Sequence, residues 1–255
     1  MIDELDYFCT LKMEKIEIKP DKTSDSSKKE QVEEMFDNIA HRYDFLNRFL
    51  SMGIDRGWRT KAINSLKPIH PKLILDVATG TGDLAIEALK LNPDKIIGVD
   101  ISELMLNVGR EKILKLHLEK SIELRKGDSE NLLFETNNFD AITVAFGVRN
   151  FENLQLGIDE MYRVLKPGGR IAILEFSKIK MFPFNHIYNF YFSNILPFFG
   201  RLISNSKNAY TYLPESVKHF PEGKDFTSYL ERSGFKQTNI QPLTFGICSL
   251  YTAVK

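Results

Sequence analysis

The sequence predicts an α/β protein built on a mostly parallel sheet, and three observations carry that expectation. Short apolar runs of strand length alternate with amphipathic runs of helical period. The first apolar run feeds a glycine turn that opens a helix, in LILDVATGTGDLAIEAL. The chain has 255 residues, 43% of them hydrophobic, enough for one large domain with appendages.

Residues 1–30 read as a flexible N-terminal tail, with the polar tract 19–29 as a poorly ordered linker. A single domain, 31–255, follows. Its first part, 31–67, is a helical prelude or lid: Val32, Met35, Phe36, Ile39 and Ala40 repeat at helical spacing. Phe45, Leu46, Phe49 and Leu50 continue the pattern, and Pro68 and Pro71 close it. KLILDV is then a buried strand and DLAIEALKL a helix. KIIGVD is the second strand, and SELMLNVGREKILKLHL a helix capped by Ser102. IELRKGD and FDAITVAF are the third and fourth strands. NLQLGIDEMYRVL is a helix, Lys166-Pro167-Gly168-Gly169 a turn, and GRIAILEF the fifth strand. Residues 181–222 form an insertion whose first half, rich in Phe and Tyr, has no clean period. A helix over 224–233 and two strands, FKQTNI and FGICSLYTAVK, finish the chain.

Lys+Arg and Asp+Glu each total 34, so the formal net charge is zero and no nucleic-acid partner is expected. No apolar run reaches the ~18 residues needed to span a bilayer. The N-terminal residues are acidic and then mixed, without the marks of a secretory signal or a transit peptide, which predicts a cytoplasmic protein. Cys9 and Cys248 lie far apart, and neither they nor His186 and His219 have metal-ligand spacing, so no metal is assigned.

The turn at 78–82 carries a relaxed dinucleotide fingerprint, Gly80, Gly82 and Ala85. Glycine there lets backbone approach a ligand closely, and the free N–H groups of the next helix favour negative charge. Yet Asp76 precedes the turn and Asp83 follows it. Asp83 suits the helix start, whereas Asp76 repels a pyrophosphate by about 4 kcal/mol at ~4 Å and an effective dielectric of ~20. A cofactor with a positive near end fits better. S-adenosyl-L-methionine is such a molecule: its ammonium suits Asp76 and its carboxylate the loop N–H groups. Asp100, about 20 residues beyond the loop, is placed to accept ribose hydroxyls. Asp128 and Ser129 follow the third strand, where they meet adenine, with Ile101 and Leu84 as its walls.

These motifs resemble those of class I S-adenosylmethionine methyltransferases. MFDNIAHRYDFLNRFLSMGIDRGWR, AFGVRNFEN, RVLKPGGRIAILEFS and YTYLPESVKHFP narrow the resemblance to the C-methyltransferases of menaquinone and ubiquinone synthesis. It implies a three-layer Rossmann-like fold with a seven-stranded sheet whose last strand is antiparallel. It implies S-adenosyl-L-methionine as cofactor, bound through Thr81, Asp100, Asp128 and Ser129. Generic methyltransferases carry glycine where this chain has Ala78. The implied reaction is C-methylation of demethylmenaquinol, with a ubiquinone precursor or another small molecule as the alternative acceptor and a nicotinamide oxidoreductase as a remote one.

On this basis Arg149 in FGVRN is the candidate for stabilising a phenolate or holding a basic water, assisted by Asn150. An ion pair between Arg149 and a local carboxylate is the structural alternative. Tyr43 and Asp44 in RYD are candidates for closing over the cofactor, with helix packing as the alternative for Tyr43. The substrate implied is a polyprenylated quinol, for which the aromatic stretch 182–199 offers an apolar mouth, a membrane contact or ordinary core. A peripheral contact with the inner face of the membrane and a second copy of the chain complete the candidate partners.

Overall fold

Helix formation starts at a reciprocal cap. Ser27 Oγ accepts from the Glu30 N–H at 3.2 Å, while Glu30 Oε2 accepts from the Ser27 N–H at 2.9 Å. Helix α1, Lys28–Leu50, therefore begins four residues before the apolar period that announces it. The computed structural model describes residues 18–51, 53–178 and 207–255, and the expectations for residues 1–17 and for the aromatic stretch 182–199 fall outside them. The described part of the tract read as a loose linker is fastened to α1. Gln31 accepts from the Asp21 N–H at 2.8 Å and donates to the Ser26 carbonyl at 2.9 Å.

Helix α2, Asp55–Leu66, follows, and then strands and helices alternate: β1 Leu73–Val77, α3 Asp83–Ala88, β2 Lys95–Asp100, α4 Glu103–Lys115, β3 Ile122–Lys126 and β4 Phe139–Ala145. Next come α5 Leu154–Val164, β5 Leu165–Phe176, α6 Lys207–His219, α7 Lys224–Arg232, β6 Lys236–Leu243 and β7 Cys248–Val254. Ser102 caps α4 by accepting from the Met105 N–H at 3.1 Å, as its position predicts. Asn153 caps α5 in the same way.

The strands form one sheet in the order β3-β2-β1-β4-β5-β7-β6, and β7 alone runs antiparallel to its neighbours. Successive strand residues face opposite layers. Ile74, Ile96, Ala141 and Ala172 pack with α2, α3 and α4, whereas Leu75, Ile97, Ile142 and Ile171 pack with α5 and α7. A three-layer sandwich results. One turn differs from expectation. Residues 166–169 lie within β5 as an irregularity, between the pairs Phe139↔Leu165 and Ala141↔Arg170. The C-terminal residue holds them there: the Gly168 N–H donates to the Lys255 carbonyl and the Lys255 N–H to that of Gly169.

The winding reverses between β1 and β4, so a crevice opens beyond the carboxyl ends of the central strands. Helix α1 crosses that end and packs on α4, α6 and the turn after β4. A third apolar cluster joins Ile18 and α1 residues Val32, Met35 and Ile39 to Tyr212 of α6.

Candidate functional site

The crevice holds a cleft of ≈ 690 Å³, counted out to its open mouth and within the usual range for small-molecule sites. Its walls come from five places. Val32, Phe36 and Tyr43 descend from α1; Ala78 and Gly80 belong to the β1–α3 loop; Asp100, Ile101 and Met105 follow β2; Asp128 and Ser129 follow β3. Phe146, Asn150 and Glu152 close the side beyond β4.

The loop owes its shape to positive φ at Ala78, Gly80 and Gly82. A side chain on Gly80 would place Cβ 3.2 Å from Met105 Cε, with Tyr43 Cε1 at 3.9 Å, so glycine keeps this wall open. Ala78, at φ 53°, adopts the conformation where generic methyltransferases carry glycine. The neighbouring fold accommodates its methyl group, because a Cβ on Gly147 would lie only 2.5 Å from that of Ala78.

Asp76 is 1% exposed and does not reach the cleft wall. Thr79 Oγ1 donates to its Oδ2 at 2.5 Å and Thr143 Oγ1 to its Oδ1 at 2.6 Å. Burial pushes its pKa up to about 6, against these hydroxyls and the Ala85 N–H, which favour the anion. Asp76 thus occupies the start of α3 from inside and braces the loop. The backbone donors of Thr79, Gly80 and Gly82 are engaged by Val99 O, Asp100 Oδ2 and Thr79 O.

Asp100 stands at the wall itself, accepting from the Gly80 N–H at 2.8 Å and the Ser102 N–H at 2.9 Å. Burial raises its pKa to about 6 in spite of these donors. Asp128 and Ser129 also line the cleft, as expected. Asp128 accepts from Lys29 Nζ at 2.7 Å and from the Glu130 N–H at 2.9 Å. Lys29 comes from the tract read as a linker, and its role had no signal in the local pattern.

Thr81 and Gly82 do not line the cleft. Thr81 Oγ1 donates to Asp44 at 2.5 Å and accepts from Lys112 at 3.1 Å, while Lys112 pairs with Asp44 and Asp83. Arg59 adds to this knot by pairing with Asp55 and Asp83. The group locks α1 and α2 onto the loop, a task that only tertiary proximity reveals. Asp83 sits at the start of α3 as predicted; burial opposes its charge, but Lys112 and then Arg59 hold its pKa below the ordinary value. Gly82 serves as the αL cap of α3, and Leu84 lies in the core, leaving Ile101 and Met105 as cleft walls.

Tyr43 lines the cleft and meets Phe36 edge-on, with ring centroids 5.9 Å apart. Burial raises its hydroxyl pKa. Asn150 lines the cleft as well. Arg149 realises its structural alternative: Nη1 donates to Glu175 Oε1 at 2.9 Å, a pair 8% and 0% exposed by side chain. Nη1 also donates to the Phe146 carbonyl. Glu175 was hidden to sequence reasoning because it sits inside the apolar run GRIAILEF. Among the described residues, three buried side-chain polar atoms have no hydrogen-bond partner: Arg149 Nε, Asn150 Oδ1 and Tyr212 OH.

Among the described residues, the cleft wall carries four carboxylates, Asp100, Asp128, Glu130 and Glu152, against one cation, Lys29, which is already paired. Such a lining disfavours a diphosphate and suits a cationic nucleoside.

Residues 24–255 match the model of the ubiE/COQ5 methyltransferase family. The chain belongs to that family. It is 53% identical over 234 residues to a demethylmenaquinone methyltransferase of Bacteroides fragilis, covering 91% of this chain and 96% of that protein. It is 46% identical to a ubiquinone/menaquinone biosynthesis C-methyltransferase of Geotalea daltonii, covering 90% and 98%. A solved SAM-dependent methyltransferase from Thermotoga maritima has the same fold, with TM-score 0.61 and 16% identity over 87% of this chain and 98% of that one.

Proposed function

We propose that the chain transfers a methyl group from S-adenosylmethionine to a ring carbon of demethylmenaquinol, forming menaquinol. The observation that carries this is the 53% identity to the Bacteroides fragilis enzyme across 96% of its length. The cleft fits the cofactor on its own chemistry: an acidic wall, an acceptor at Asp100 and a glycine cradle at Gly80 that a Cβ would fill. Bound there, S-adenosylmethionine supplies an electrophilic methyl on a sulfonium.

The chain's residues divide the remaining work. Asp100 accepts the ribose hydroxyls, and Asp128 with Ser129 receives the adenine edge. Asp76, Thr81 and Gly82 act one step back by fixing the loop. The acceptor carbon becomes nucleophilic when the neighbouring phenol gives up its proton to water, which at pH 7 costs roughly 4 kcal/mol for a pKa near 10. The methyl–sulfur bond breaks as the new carbon–carbon bond forms, and the ring C–H then loses its proton while the hydroxyl is restored, so one proton is released overall. Arg149 stabilises the developing phenolate, Asn150 holds the substrate hydroxyl by a hydrogen bond before it ionises, and the Glu175 carboxylate holds the guanidinium in place. Tyr43 closes the α1 side and excludes water.

The prenylated substrate brings the protein to the inner face of the membrane. None of the described helices is long and apolar enough to cross it. Mass spectrometry of the quinone pool after gene deletion tests the function. A menaquinone lacking one ring methyl supports it; a complete menaquinone pool refutes it. A deficit in ubiquinone alone would move the acceptor to the other quinone, which the Geotalea daltonii relative's name also covers.

A further inference from the structure

The unpartnered atoms Arg149 Nε, Asn150 Oδ1 and Tyr212 OH are unlike the rest of the described interior, whose other buried side-chain N and O atoms have hydrogen-bond partners. Tyr212 is 3% exposed and belongs to the cluster of Val32, Met35 and Ile39, against which Phe36 and Tyr43 pack. Val32, Phe36 and Tyr43 also line the cleft. Helix α6, which carries Tyr212, touches the turn Val148–Asn150, and the charges of Arg149 and Glu175 both act on the Tyr212 hydroxyl. Asn150 thus lines the cleft beyond β4, while Arg149 and Tyr212 lie behind that wall and next to it. Their chemistry is specific: Arg149 Nε and Tyr212 OH offer protons, and Asn150 Oδ1 accepts one. The Asn150 orientation follows from its Nδ2, which donates to the Phe146 carbonyl at 3.4 Å.

Two donors and one acceptor are the complement of a single phenolic hydroxyl, which accepts twice and donates once. A quinone oxygen can satisfy the donors but leaves the buried Asn150 Oδ1 unpaired, which is costly. Resting on the proposed function, we infer that Tyr212 is a further substrate-binding residue, and that with Arg149 and Asn150 it selects the reduced ring over the oxidised one. Burial pushes the Tyr212 pKa up to about 12, so it remains a donor throughout the working pH range. When the substrate hydroxyl ionises, Arg149 and Tyr212 both keep donating to the phenolate.

Two measurements on the full-length protein test this. The first compares binding of 1,4-naphthoquinol and 1,4-naphthoquinone, under anaerobic conditions and with S-adenosylhomocysteine present. The inference predicts that the quinol binds at least about tenfold tighter, since the quinone strands a buried acceptor. The second is Tyr212→Phe. It should lower kcat/KM for demethylmenaquinol roughly 10- to 100-fold while affinity for S-adenosylhomocysteine stays unchanged. Its kcat should also gain an acid limb displaced to higher pH, because the bound phenol loses a donor to its anion. Equal binding of the two rings, or a Tyr212→Phe enzyme with wild-type kcat/KM and pH profile, overturns the inference. If the variant fails to bind S-adenosylhomocysteine, the ring comparison on the wild type decides alone. Absence of methyl transfer to demethylmenaquinol by the wild type removes the function and this inference together; a failure of the inference alone leaves that transfer intact.

Discussion

Asp76→Asn should stabilise the protein at neutral and alkaline pH and not at acid pH. Burial raises the Asp76 pKa from 3.8 to about 6. An acid with a raised pKa binds its proton more tightly in the folded state than in the unfolded state. Its ionisation therefore opposes folding: stability is greatest below about pH 4, declines as pH rises toward about 6, and is flat above. The roughly hundredfold difference in proton affinity corresponds to about 3 kcal/mol at most, since each tenfold is about 1.4 kcal/mol. Asparagine removes the charge and keeps both threonine partners, because one hydroxyl donates to its Oδ1 while the other turns to accept from its Nδ2. A gain of about 1–3 kcal/mol at pH 8 raises Tm by roughly 2–12 °C for a chain of this size. Calorimetric scans of wild type and variant between pH 4 and 8 measure it. The gain should shrink to nothing near pH 4, and the variant should keep part of the slope through Asp100, which also titrates at about 6. A variant less stable at pH 8, or equally displaced at every pH, would refute the assignment of Asp76 as a buried, charged brace.

Asp100→Ala removes a cleft-wall acceptor and the anchor of the Gly80 N–H. Affinity for S-adenosylhomocysteine should drop roughly 10- to 100-fold by calorimetry, and unchanged affinity would exclude Asp100 from the site. Arg149→Ala strands Glu175, which is fully buried, and should cost about 3–5 kcal/mol of stability while reducing turnover more than cofactor affinity. Adding Glu175→Gln should restore most of the stability and none of the turnover; recovered turnover would reduce Arg149 to an ion-pair partner. Ser27→Ala breaks the cap of α1 and should cost about 1 kcal/mol in denaturant unfolding, with no change counting against the capping role.

The layers of the fold were legible because each core strand is an apolar run bounded by turn residues, and each helix has its own period or cap. The start of α1 was also written in the chain, as the pattern Ser27-x-x-Glu30, but the polar composition around it masked the signal. Gly80, Asp100, Asp128 and Ser129 could be placed at the cleft from strand ends alone, because a parallel sheet delivers its strand ends to one edge. Asp76 could not, since the same position at a strand end is compatible with facing the ligand or bracing the loop from behind. The bracing is carried by the hydroxyls of Thr79 and Thr143, which the local pattern does not point to. Glu175 and Tyr212 were hidden because their partners lie far away in sequence. The knot of Asp44, Lys112, Asp83 and Arg59 depends in the same way on how α1 and α2 lie across the sheet.

The most direct test is methyl transfer by the purified protein, with S-adenosylmethionine labelled in its methyl group and demethylmenaquinol as acceptor. Fragmentation mass spectrometry should find the labelled methyl on a ring carbon of the quinol. A product that carries no label on its ring, with the reduced acceptor and the bound cofactor both verified, would contradict the account.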